Sequence, residues 1–185
     1  MLPIKIVPQK REFGCAKAVI KTVIKTKYGM EVPIKDPLLY IQSLGTLSFL
    51  GIANDALREN KLPGHFIKKT NVKFEELKQW VAEGKLMIIL LISRENYPHY
   101  VVLADIQEDE VIIANTHGAV FEKFSTTKFI ERWYLNTRYI EQIEWMKGQS
   151  NPFMDRIVRW GIKLGKTFGF VQPGSVYILE DRTLL

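Results

Sequence analysis

Apolar residues recur at Ala16, Val19, Ile20, Val23 and Ile24, the i, i+3, i+4, i+7, i+8 spacing of one helical face. Lys17, Lys21, Thr22 and Lys25 take the other face, and Gly29 offers a stop, so the pattern predicts a helix over 16–27. A second helix is predicted from about Gly45-Thr46, carrying Leu47, Leu50, Ala53 and Leu57 inward. A third runs over about 72–83, burying Phe74, Leu77 and Val81, with Gly84 ending it.

The texture then changes. Residues 86–92 are an unbroken apolar run, as in a central strand buried on both faces. Residues 100–106 and 111–114 read as two more strands, joined by the acidic turn Gln107-Glu108-Asp109-Glu110. A short helix is predicted over 127–133 and a strand over 139–146. Helices first and antiparallel strands after them make the α+β pattern. Lys147-Gly148-Gln149-Ser150-Asn151 is the best linker, dividing a domain of residues 1–146 from an extension of residues 147–185. Within that extension Asn151 caps a helix that Pro152 opens. Phe153, Ile157, Trp160, Leu164 and Phe168 form one stripe, flanked by Arg156, Arg159, Lys163 and Lys166. Residues 176–179 read as a further strand that fixes the extension to the domain.

Composition adds little to this picture. With 46% apolar and 25% charged residues the chain is ordinary globular protein rather than a disordered one. A net charge of +6 permits acidic partners, but no groove-reading motif accompanies it, so no nucleic acid partner is expected. The amphipathic stripe over 152–168 would pack on its own domain, or make a peripheral membrane or protein contact. The first residues lack the apolar stretch of a secretory signal. The seven-residue apolar run at 86–92 falls far below the ~20 residues needed to span a bilayer. One cysteine excludes an intramolecular disulfide, and the expected setting is cytoplasmic.

That cysteine carries the candidate chemistry. Cys15 immediately precedes the predicted first helix, where unpaired N–H groups and the positive end of the helix favour thiolate over thiol. Gly14 before it lets the chain turn and leave the sulfur reachable. A thiolate nucleophile also needs a base, an orienter for that base and donors for an oxyanion. Of the three histidines, His65 follows Pro63-Gly64 in an expected loop and is left as surface background. His99 opens a strand beside Pro98, where its side chain can project into a cleft. A turn at 107–109 sets residues ~115–118 opposite His99. Asn115 is then a natural partner for the imidazole, and His117 a competing one. Asp105 lies ~20 Å along the same strand and is a weaker candidate. Gln9, six residues before Cys15, could donate its side-chain amide to an oxyanion beside the Cys15 backbone N–H. The set Cys15, His99, Asn115 and Gln9 calls for no metal or cofactor.

These motifs resemble the papain-like cysteine peptidases that trim double-glycine leaders from bacteriocin precursors. Gln9…Cys15 with Ala18-Val19-Ile20 and the closing Tyr28-Gly29 is similar to that family's nucleophile helix. Gly45-Thr46-Leu47-Ser48-Phe49-Leu50-Gly51-Ile52 is similar to its Gly-Thr-Ser…Leu-Gly-Leu segment. His99-Tyr100-Val101-Val102 and Val111-Ile112-Ile113-Ala114-Asn115 match its base strand and the strand of its third catalytic residue, with Phe129…Trp133 on the helix after them. The resemblance runs from about Gln9 to Trp133 and implies a papain-like fold for the domain of residues 1–146, with Cys15 as nucleophile, His99 as general base, Asn115 as orienter and Gln9 as oxyanion donor. Two departures stand out. Cys15-Ala16-Lys17 replaces the usual Cys-Gly-Pro, and Asn115-Thr116 replaces an aspartate followed by proline. Asn serves the same role in papain-like enzymes.

Two functions follow. One is a cysteine peptidase, or a related thiol acyl transferase, acting on a peptide or protein. The other is a catalytically silent peptide-binding or interaction module of the same fold.

Overall fold

The computed structural model describes residues 1–10, 14–34, 42–92, 98–134 and 174–181. The elements in chain order are α1 (Cys15–Tyr28), α2 (Gln42–Glu59), β1 (His65–Lys69), α3 (Phe74–Ala82), β2 (Met87–Ile92), β3 (Pro98–Ile106), β4 (Glu110–Asn115), β5 (Val120–Ser125), α4 (Thr126–Tyr134) and β6 (Val176–Glu180). The strands form one sheet in the order β1-β6-β2-β3-β4-β5, and every described pairing is antiparallel. This is the α+β fold that the pattern of helices and strands predicts, in line with the papain-like fold that the family resemblance implies.

Alternation along the strands splits the core in two. Ile88, Leu90, Tyr100, Val102, Ala104, Ile112, Ala114, Tyr177 and Leu179 pack with α1 and α2 on one face. Met87, Ile89, Leu91, Val101, Leu103, Val111, Ile113, Phe124, Val176 and Ile178 meet Leu77 of α3 and Phe129 and Trp133 of α4 on the other. β2 is buried at every position because it has helices on both faces, which is why its sequence shows no alternation.

α1 buries Ala16, Val19, Ile20, Val23 and Ile24 as its periodicity requires, and ends at Gly29 (φ +76°), whose N–H reaches the Lys25 carbonyl. Thr22 departs from the expected polar face: it is fully buried. Its hydroxyl accepts the Val7 N–H at 2.9 Å, while Thr26 accepts that of Lys5 at 2.9 Å. These two bonds strap the N-terminal segment along the helix. α2 begins at Gln42, not at Gly45. Its buried face is Phe49, Ile52, Ala53, Ala56 and Leu57, while Leu50 is only half-buried. The face is rotated because Phe49 stacks on Tyr100 with ring centroids 4.5 Å apart. α3 starts where Glu76 turns back to accept the Lys73 N–H at 2.8 Å.

Two strands escaped the hydrophobic pattern. His65 stands in β1, not in a loop. Only Phe66 of that strand is fully buried, so the strand shows no run of alternation to read. It is held by β6 and by Asn54, whose side chain accepts the Phe66 N–H at 2.6 Å and donates to the Phe66 carbonyl at 3.0 Å. β5 alternates weakly and has only Phe124 buried. The strand expected at 176–179 is β6, seated between β1 and β2. The strand expected over 139–146 and the helix expected over 152–168 lie outside the described residues.

Candidate active site

Cys15 is the first residue of α1 and is 5% exposed. Gly14 before it has φ −84° and ψ 5°, a conformation open to any residue, so no left-handed turn is needed there. Burial pushes the thiol above its usual range. The backbone N–H groups of Tyr100, Ala16 and Cys15 itself hydrogen-bond the sulfur and pull the other way, but less strongly. The helix start does what the sequence suggests, yet desolvation of the anion outweighs it. The direction is opposite to that expected from position alone.

The Tyr100 contact puts the Cys15 sulfur beside the start of β3, one residue from His99. Phe49, Tyr100 and Tyr177 form an aromatic cluster in the same core as Cys15, with Phe49 to Tyr177 centroids 4.4 Å apart. His99 pairs with Leu91 of β2, so alternation sets its side chain on the face of α3 and α4. Cys15 arrives from the opposite face, at the end of the strand.

His99 Nε2 lies 2.7 Å from Asn115 Oδ1. The pairing of Val102 with Ala114 makes His99 face residue 117 in register, and Asn115 reaches it from the diagonal position on the same face. His117 meets Asn115 through its backbone: its N–H donates to Asn115 Oδ1 at 2.9 Å. A third bond runs from Asn115 Nδ2 to Glu122 Oε1 at 2.5 Å. Asp105, at the far end of β3, accepts from Gln107 and from the Ile106 N–H.

The N-terminal segment brings Gln9 to this same corner. Its backbone N–H donates to the Thr116 carbonyl at 2.9 Å. Its side-chain amide lies 3.4 Å from His117 Nδ1 and 3.5 Å from the Thr116 hydroxyl. Both distances are at the long limit for hydrogen bonds, so they hold the amide only loosely. Of the sequence candidates, His99 and Asn115 are in direct contact, Gln9 adjoins the residues that follow Asn115, and Cys15 abuts the residue after His99. Glu122 was missed because β5 was not legible, and the Tyr100 N–H because backbone groups leave no residue-type signal. Among the described residues no three His, Cys, Asp or Glu side chains form a metal-binding group, and no helix is long and apolar enough to cross a membrane.

Among solved structures, the peptidase domain of Streptococcus ComA, a bifunctional ABC transporter involved in quorum sensing, is similar at 20% identity. That match covers 68% of this chain and 89% of that one, with a TM-score of 0.46. The peptidase domain of Streptococcus mutans ComA matches at 16% identity over 68% and 88% of the two chains, with a TM-score of 0.39. A search of the curated proteins finds no match. The family model of the Peptidase C39 family matches residues 3–140, well over half of the chain. The protein therefore belongs to the Peptidase C39 family of cysteine peptidases, acting on peptide or protein substrates, the family its motifs resemble.

Proposed function

We propose that this peptidase cleaves its substrate through Cys15, His99 and Asn115, with Gln9 as oxyanion donor. The observation that carries the reading is the 2.7 Å bond between His99 Nε2 and Asn115 Oδ1, at the strand end where the backbone of the next residue, Tyr100, favours the Cys15 thiolate. An amide oxygen has no proton to give, so the bonded nitrogen of a neutral His99 carries the hydrogen and Nδ1 keeps its lone pair. Nδ1 takes the thiol proton as Sγ attacks the peptide carbonyl. The oxygen of the tetrahedral species is met by the Cys15 backbone N–H and the Gln9 amide. The imidazolium then protonates the departing amine, leaving a thioester that water hydrolyses with His99 again as base. Capture of the thioester by an amine instead of water would make the same site a thiol acyl transferase.

Because burial holds the thiol neutral, the proton moves during attack and no ion pair stands ready beforehand. A peptide library incubated with the wild type and with Cys15→Ser tests the reading. Cleavage should fall by ~10³-fold or more in the variant, with folding unchanged. Equal cleavage by both would refute it. The burial of Cys15 also favours a second reading, a silent peptide-binding module. Peptide binding without cleavage, together with no labelling of Cys15 by a thiol-reactive probe, would decide for the module.

A further inference from the structure

The Asn115 amide has three partners, and each fixes its orientation. The His117 N–H can only donate, so the atom facing it is Oδ1. An ionised Glu122 carboxylate can only accept, so the atom facing it is Nδ2. A half-turn of the amide would set donor against donor at His117 and oxygen against oxygen at Glu122. With Oδ1 so directed, its remaining lone pair accepts from His99. The register of β4 and β5 supports this arrangement. Glu122 pairs with Ile113, which places it diagonal to Asn115 and on the same face of the sheet, within reach of a long side chain.

We propose that Glu122 is a positioning residue of the active site: by holding the Asn115 amide it fixes His99 in the tautomer that carries its hydrogen on Nε2. The proposal rests on His99 acting as base for Cys15, but the tautomer can be read without any substrate. Asn115 is neutral, so the negative charge that steadies a protonated His99 comes from Glu122, one hydrogen bond further out. Outer groups of this kind orient inner ones and set their basicity.

The test is long-range ¹H–¹⁵N NMR of the full chain with ¹⁵N-labelled histidine. Wild-type His99 should be mainly the Nε2–H form. In Glu122→Ala the Nδ1–H form should rise about tenfold, as when an orienting bond worth about 1.4 kcal/mol is lost. Glu122→Gln keeps an acceptor oxygen and should retain the wild-type tautomer. An unchanged His99 spectrum in a folded Glu122→Ala protein overturns the proposal. Should that variant not fold, Asn115→Asp decides. There two carboxylates oppose each other and turnover should fall at least about tenfold, while adding Glu122→Gln, whose amide donates, should restore it. Simple additivity of the two changes overturns the proposal. If the wild type cleaves nothing while the tautomer shifts as stated, the peptidase reading fails and only the control of the His99 tautomer by Glu122 stands.

Discussion

At the scale of single residues, the proposed mechanism turns on Cys15. Its thiol is pushed up by burial, so the folded protein holds that proton more tightly than the unfolded chain does. The stability this contributes is fully present below the unfolded thiol value of about 8.5 and is lost as pH rises through the folded value. Iodoacetamide labelling of the free enzyme should therefore inflect above about 8.5. An inflection below it would mean a preformed ion pair with His99 and would overturn the picture of a thiol deprotonated during attack. Variants should rank in the order of the proposed roles. Cys15→Ser removes the proposed nucleophile and should cost most. Gln9→Ala removes the proposed oxyanion donor and should cost on the order of 10²-fold in kcat. Asn115→Ala loosens His99 without removing the proposed base and should cost least. Steady-state kinetics of the three variants checks the ranking, and a Gln9→Ala enzyme with full kcat removes Gln9 from the site.

Elements explain why some of these residues could be read in advance and others could not. His99 and Asn115 were legible because β3 and β4 are strongly apolar strands joined by an acidic turn, so counting across the turn brings their ends together. Cys15 was legible as a helix start because α1 alternates cleanly with lysines. Burial at that start was not legible, since Cys15 joins a core cluster drawn from α1, α2 and the sheet, whose packing no single segment reveals. β1 and β5 each bury one large side chain, which leaves the hydrophobic pattern silent and hid Glu122. β1 depends instead on Gly64, at φ +94°, where an added Cβ would lie 2.7 Å from the Glu180 carbonyl of β6. Gly64→Ala combines left-handed strain with that clash, so thermal unfolding should show a loss of at least about 1–3 kcal/mol. A wild-type Tm would mean that β1 can shift off β6 freely. Thr22 links packing to function in the same way. Thr22→Val strands the buried Val7 N–H at a cost of about 1–3 kcal/mol and loosens the segment that delivers Gln9. Its kcat should fall toward that of Gln9→Ala, and a drop in Tm with unchanged kcat would separate the strap from the site.

For the whole molecule, the placement of β6 governs what can be learned from the extension. Val176, Tyr177, Ile178 and Leu179 are buried on the two faces of the sheet, between β1 and β2. Tyr177 ties this strand to alkaline stability. Burial pushes its phenol up to about 12, against a smaller lowering from the Tyr100 hydroxyl. Its contribution is thus present below the unfolded value of about 10 and lost as pH rises through about 12. Tyr177→Phe should flatten the loss of Tm above pH 10, and a curve parallel to wild type would assign that loss to other groups. Truncation is the harsher measurement. Burying each large apolar side chain contributes about 1.5–3 kcal/mol, so the four of β6 together match much of the 5–15 kcal/mol of a whole domain. Deleting residues 174–185 also leaves β1 without its described strand partner and opens the edge of β2. The truncated protein should lose cooperative unfolding and near-ultraviolet dichroism, and should bind a hydrophobic dye. Such a deletion cannot report on a membrane or partner contact through residues 152–168, because it keeps those residues and disrupts the sheet by removing β6. Reversing charge at Arg156, Arg159, Lys163 and Lys166 leaves β6 in place and isolates that question. A fourfold variant that keeps its Tm but no longer binds anionic vesicles supports the peripheral contact. If the wild type itself does not bind such vesicles, the membrane contact is ruled out.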